Sequence, residues 1–141
     1  MRLVLDTNVV IAGLLWHGPP RRLIDLAIGD ETLSLYSSPV LIRELANTLG
    51  YEKFAKRIAQ FHTRVGILVA QYEMLVTLVS PPHTPRVVAG DPDDDHVVAA
   101  AVAGRADLIV SGDSDLLGLR LYQNITVLSP ADALRFIEAN R

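Results

Sequence analysis

Short apolar runs alternate along this chain with longer segments of helical periodicity. RLVLD at 2–6, TLSLYS at 32–37, VTLVS at 76–80, DLIVS at 107–111 and ITVLS at 125–129 have the length and β-branched character of strands. NVVIAGLLW, next to the first run, reads as a buried helix broken by HGPP. Pro20 opens a second helix, PRRLIDLAIG, with Gly29 where a C-terminal cap belongs. Ser38-Pro39 is an N-cap followed by a first-turn proline, leading VLIRELANTL to Gly50, and Ser129-Pro130 does the same for ADALRFIEA. Residues 51–75 predict one or two further helices, with RIAQFHTRVGILVAQYEML amphipathic over most of its length. Strands that are apolar throughout, each followed by a helix, predict a parallel sheet covered on both faces. The expectation is a single three-layer α/β/α domain over residues 1–141, with no linker, repeat or low-complexity tract.

Composition narrows the class. The chain has 141 residues, 50% hydrophobic, enough for a real core. No apolar run approaches the ~20 residues that cross a bilayer. The opening MRLVLDTNVV carries an acid at position 6 and lacks the pattern of a secretory signal, so a cytoplasmic protein without membrane contact is expected. The absence of cysteine excludes disulfides, thiolate catalysis and cysteine-ligated zinc.

The net charge of −3 conceals an asymmetry. Residues 91–115 hold seven acids against one base, Arg105, while the remainder carries nine acids and twelve bases. An acidic focus within a mildly basic body suits cations gathered at one point and a polyanion held around it.

The acids fall where an open parallel sheet binds ligands, beyond the carboxyl ends of its strands. Asp6 closes the first strand, Asp113 follows the fourth, and DPDDD at 91–95 starts the helix that feeds the fourth. Asp91 is a good N-cap before Pro92, and carboxylates in a first turn gain about 0.3–1 kcal/mol each from the helix dipole. Four aspartates are more than capping needs. Asp94 precedes Val97, Val98 and Ala101 by three, four and seven residues, which puts it on the apolar stripe facing the sheet. A carboxylate there is costly unless paired or bound to a metal. Asp95 aligns with Val98, Ala99 and Val102 nearly as well, so the choice stays open, with Asp94 preferred. Glu44 lies at the margin of the Leu41/Leu45 stripe and reaches inward from the third helix.

Converging carboxylates repel unless a cation neutralises them, and hard oxygen ligands suit Mg2+ or Mn2+. Asn8 and Ser111 are candidate supports that orient the ligands. His17, His62, His83 and His96 form no pair with metal-ligand spacing; His62 is expected in a helix and His96 on the outer side of one. General-base work then falls to a carboxylate or to water activated by the metal.

In this order, VLDTNVV, the glutamate of IRELANTLG, DPDDDHVVAAAVAGRAD and LIVSGDSDLL resemble the PIN domain family, particularly its branch of toxins from toxin-antitoxin pairs. The resemblance spans nearly the whole chain. It implies a metal-dependent endoribonuclease with a parallel five-stranded sheet of order 3-2-1-4-5, and carries the family's acidic quartet onto Asp6, Glu44, Asp94 and Asp113. Asp95 remains an alternative third ligand and Asp115 an alternative fourth. It also implies an antitoxin protein as partner. A haloacid-dehalogenase-type phosphatase needs an acid where this chain has Asn8, and a response-regulator receiver needs a lysine after the last strand, whereas the lysines are Lys53 and Lys56. A non-catalytic binding module of the same fold is the principal rival. Single-stranded RNA or a loop is the expected substrate, because unstacked nucleotides enter a narrow cleft while Arg21, Arg22, Arg43, Lys53, Lys56 and Arg57 are available for flanking phosphates. The sparsely charged VGILVAQYEML predicts a homodimer contact.

Overall fold

The structure, a computed structural model, describes residues 1–88 and 91–140; Ala89, Gly90 and Arg141 of the expected domain lie outside the described residues. In chain order the elements are β1 (Arg2–Leu5), α1 (Thr7–Leu15), α2 (Pro19–Gly29), β2 (Ser34–Ser37), α3 (Pro39–Leu49), α4 (Glu52–Gln60), α5 (Val65–Leu75), β3 (Val76–Leu78), α6 (Pro92–Ala103), β4 (Leu108–Val110), α7 (Ser114–Leu119), β5 (Leu121–Tyr122), β6 (Ile125–Leu128) and α8 (Pro130–Ala139).

One sheet runs in the order β3-β2-β1-β4-β6-β5, parallel throughout except that β5 pairs antiparallel with β6. The fold class and the order of the five expected strands are as predicted, with β6 in the fifth place. The count is corrected from five to six. Tyr122 faces Ile125 across a two-residue turn whose central residues, Gln123 and Asn124, have φ of 47° and 68°. Positive φ at both positions matches the right-handed twist of a tight hairpin, and asparagine tolerates it. The resulting β5 has only two residues, too short for an apolar pattern. The six-residue helix α7 also went unpredicted.

Alternation along the buried strands sorts side chains between two cores. Leu3, Leu5, Leu108 and Val110 face the layer containing α1, α2, α5 and α8, whereas Val4 and Ile109 face Val97, Val98 and Ala101 of α6. The capping expectations hold at three helices. The Ser38 hydroxyl accepts from the Leu41 N–H, Ser129 from Asp132 and Asp91 from Asp93. Residues 51–75 divide into two helices because the chain turns at His62, whose φ of 52° lies outside the helical region; this histidine is in a turn, not a helix. Gly29 is the last residue of α2, and Asp30 caps it. Among the described residues no helix is long and apolar enough to cross a membrane.

Gly13 lets α1 approach α2. A Cβ there would lie 2.6 Å from Cδ1 of the buried Ile24 and 3.1 Å from the Pro20 carbonyl oxygen. Gly13→Ala should therefore cost about 1–3 kcal/mol, as overpacking does, read as a lower urea midpoint with unchanged m-value.

Candidate active site

The site starts from strand register. Leu5 is paired with Val110, and the Asp6 N–H donates to the Val110 carbonyl at 2.9 Å, so the residues that follow β1 and β4 emerge side by side. The Ser111 hydroxyl, fully buried, donates to Asp6 Oδ2 at 2.7 Å and accepts from the Asp113 N–H at 2.9 Å. Asp113 in turn caps α7, its Oδ1 accepting from the Asp115 N–H at 2.8 Å. β1 lies between β2 and β4, where the strand order reverses, which is where open α/β sheets form their ligand crevice.

α6 contributes from the other side. Asp91 caps it with an Oδ1 contact of 3.1 Å to the Asp93 N–H. Asp94, one turn in, is only 5% exposed, and its Oδ2 is buried with no hydrogen-bond partner among the described residues. One carboxylate oxygen from each of Asp91, Asp94 and Asp113 lies within 4.8 Å of the others. Hard oxygen donors grouped this closely around an unsatisfied carboxylate fit a divalent cation such as Mg2+ or Mn2+.

Burial and mutual repulsion act together on these groups. Desolvation, then the charges of Asp113, Asp91 and Asp6, push the Asp94 carboxyl up to about 8. Glu44, half-buried on α3, is pushed up to about 7 by desolvation and then by Asp93 and Asp6, against a hydrogen bond to Thr7 that favours its ionised form. Desolvation raises Asp6 as well, opposed by the Ser111 hydroxyl. A nearby cation would reverse each of these shifts.

Residues 2–115 match the PIN domain family. The chain belongs to the PIN domain family. It is 31% identical over 121 residues to MJ1680, an uncharacterized protein of Methanocaldococcus jannaschii, a match covering 85% of this chain and 76% of the relative. Its fold is similar to a chain of VapBC2 from Rickettsia felis, solved bound to a DNA fragment from the promoter, with a TM-score of 0.60 and 12% identity over 90% of this chain and 97% of that one.

In this PIN domain the expected site residues separate by position. Asp94 and Asp113 group closely with Asp91, whereas Asp6 and Glu44 lie outside that group, Asp6 acting on Asp94 and on Glu44 through its charge. Asp95, equally buried, instead accepts from the backbone N–H groups of Val87 and Val88 at 2.9 and 2.7 Å, tying down the segment before α6. Asp115 is exposed and meets Asp113 through its backbone. Asn8 is exposed on the first turn of α1, and Thr7 beside it is the residue that touches Glu44. His96 is half-buried rather than exposed. Two contributors were missed as such: Asp91, read only as a cap, and Thr7. The i, i+3 spacing of Asp91 and Asp94 was the available signal for the first.

Asp94 and Asp95 should respond oppositely to substitution. Raised pKa values mean that the native state binds more protons than the unfolded chain, so the stability they represent is lost as pH rises from about 4 towards 8. With a chelator present, Asp94→Asn should flatten that decline and raise the melting temperature at pH 8. Asp95→Ala should lower stability by about 1–3 kcal/mol at either pH, because two backbone donors lose their acceptor. Thermal melts of both variants at pH 5 and pH 8 check this.

Proposed function

We propose that this PIN domain is a Mg2+- or Mn2+-dependent endoribonuclease and the toxin of a toxin-antitoxin pair. The observation that carries the reading is the buried Asp94, one oxygen of which has no hydrogen-bond partner among the described residues, grouped with Asp91 and Asp113. An ionised group in that position needs a cation, and an acid-lined crevice around a cation is suited to phosphodiester hydrolysis. Asp6, Glu44, Asp94 and Asp113 hold the ion, with Asp91 as a further oxygen donor; Asp95 is assigned to holding the loop and Asp115 to the turn after β4. The cation supplies neutralisation of charge at the phosphodiester and activation of the attacking water.

The side chains prepare that chemistry. Ser111 fixes the Asp6 carboxylate and, through its second hydrogen bond, the backbone of Asp113, so one buried hydroxyl orients ligands from two strands. Glu44, pushed up to about 7 in the absence of an ion, gives up its proton near neutral pH when the ion binds. The substrate is single-stranded RNA or a loop, whose unstacked phosphates reach a recessed site.

The toxin assignment draws on the order of the acidic motifs and on the fold shared with a VapBC2 chain. An antitoxin protein would be the partner, in the cytoplasm. A homodimer contact is assigned to α5 and the edge strand β3, where Ile67, Met74 and Leu78 are exposed, Met74 at 87%.

The decisive assay incubates labelled single-stranded RNA, and separately total cellular RNA including transfer RNA, with Mn2+ and wild type, Asp6→Asn, Glu44→Gln or Ser111→Ala. The Asp6 and Glu44 variants should lose cleavage by at least about 100-fold while retaining RNA binding. Ser111→Ala should weaken metal affinity about 10- to 100-fold, as loss of an orienting partner does. Retarded RNA without fragments from any protein would make this a binding module, and equal cleavage by all of them would remove the site from the chemistry.

A further inference from the structure

At the far end of α1 from the carboxylates lies a group of side chains that the hydrolytic site does not use. Trp16, the C-cap of α1, has its ring edge-on to Phe54 of α4, with centroids 6.1 Å apart and planes at 63°. The Arg57 guanidinium donates through Nε to the Leu15 carbonyl at 2.8 Å and through Nη1 to Gln60 at 3.3 Å. So held, it sits 5.7 Å from the Trp16 ring centroid and 4.6 Å from that of Phe61. Lys53 lies 5.1 Å from the Phe54 ring.

These contacts order the rings without covering them. Trp16 remains 43% exposed and Phe61 49%. Their surroundings are cationic: residues 51–64 carry Lys53, Lys56, Arg57 and Arg64 against a single acid, Glu52. On α4, Lys53, Lys56 and Arg57 follow the i, i+3, i+4 spacing of one helix face. Packing alone accounts for Phe54, which is half-buried against the core, and for the guanidinium that satisfies a helix-end carbonyl. It does not account for two large rings, each about half exposed, beside the same fixed cation.

We propose that Trp16, Arg57 and Phe61 form a stacking platform for unpaired bases of an RNA strand, with Lys53, Lys56 and Arg64 on its phosphates. Exposed aromatic faces beside a basic helix are how proteins hold single strands without reading their sequence. Positive charge with one acid nearby is complementary to a polyanion. The inference rests on the ribonuclease reading for its substrate class. It adds a contact about 14 Å from Asp6, the length of the nine-residue α1 at 1.5 Å per residue. A strand lying on the platform would be anchored along the helix whose first turn follows Asp6.

Trp16 is the only tryptophan in the chain, so stacking has its own optical signal. The full chain is titrated in chelator with an unpaired, mixed-sequence 2′-O-methyl oligoribonucleotide, following tryptophan fluorescence and oligonucleotide anisotropy together. Wild type should show saturable quenching that tracks binding. Trp16→Ala and Phe61→Ala, with circular dichroism confirming their fold, should each lose about 5- to 100-fold in affinity, and Trp16→Phe should retain most of it. No binding, binding without quenching, or alanine variants that bind like wild type would overturn the platform. So would a Trp16→Ala variant that keeps RNA affinity and loses only a co-expressed antitoxin, because the face would then belong to a protein. Quenching without Mn2+-dependent cleavage of natural RNA would leave the platform standing and remove the nuclease reading. Cleavage indifferent to Trp16 and Phe61 would do the reverse.

Discussion

Asp94 is enclosed by protein on a helix face that packs against the sheet, and one of its oxygens has no hydrogen-bond partner among the described residues. The charges nearest to it are negative, from Asp113, Asp91 and Asp6. Burial without a partner and repulsion between like charges both oppose ionisation, so the group either holds a proton or requires a cation. Burial also raises Glu44, to about 7, and shifts Asp6 in the same direction against the Ser111 hydrogen bond. A divalent cation bound among these carboxylates would offset that repulsion.

The rest of the fold holds the carboxylates in that arrangement. Parallel pairing of β1 with β4 brings Asp6 beside Ser111, and the Ser111 hydroxyl ties Asp6 to the start of the turn that carries Asp113. α6 packs its alanine- and valine-rich face on the opposite core, which sets Asp94 against the sheet end. Asp95 secures the preceding segment through two backbone bonds. Adjacent aspartates thus have different surroundings: Asp95 satisfies two backbone donors, and Asp94 keeps a buried oxygen without a hydrogen-bond partner among the described residues.

The parts legible in the sequence were those with local causes. Serine-proline and aspartate-proline pairs mark helix starts because a cap bonds within its own first turn, as Ser38, Ser129 and Asp91 do. The helical period placed Asp94 on the inward stripe with Val97, Val98 and Ala101, all of which are buried. The backbone bonds that set Asp95 apart from Asp94 depend on the path of residues 87–88, a tertiary matter that no periodicity encodes. Thr7 was hidden for the same reason, since its contact with Glu44 spans two helices that meet only in the folded chain. The hairpin of β5 and β6 turns on backbone angles at Gln123 and Asn124, and only the asparagine hinted at them. The pairing of Arg57 with Phe61 follows the i, i+4 spacing of α4, whereas its contact with Trp16 joins α1 to α4 and neither helix alone suggests it.

Buried carboxyl groups with raised pKa values would exchange their protons for a bound cation, and that exchange is directly measurable. Titrating Mn2+ into the protein by calorimetry at pH 7, in two buffers of different ionisation enthalpy, counts the protons released for each ion bound. With Asp94 near 8 and Glu44 near 7, about one proton or more should leave per ion at pH 7, falling towards zero at pH 9. Mn2+ binding with no proton release at pH 7, or a folded protein that binds no Mn2+, would contradict it.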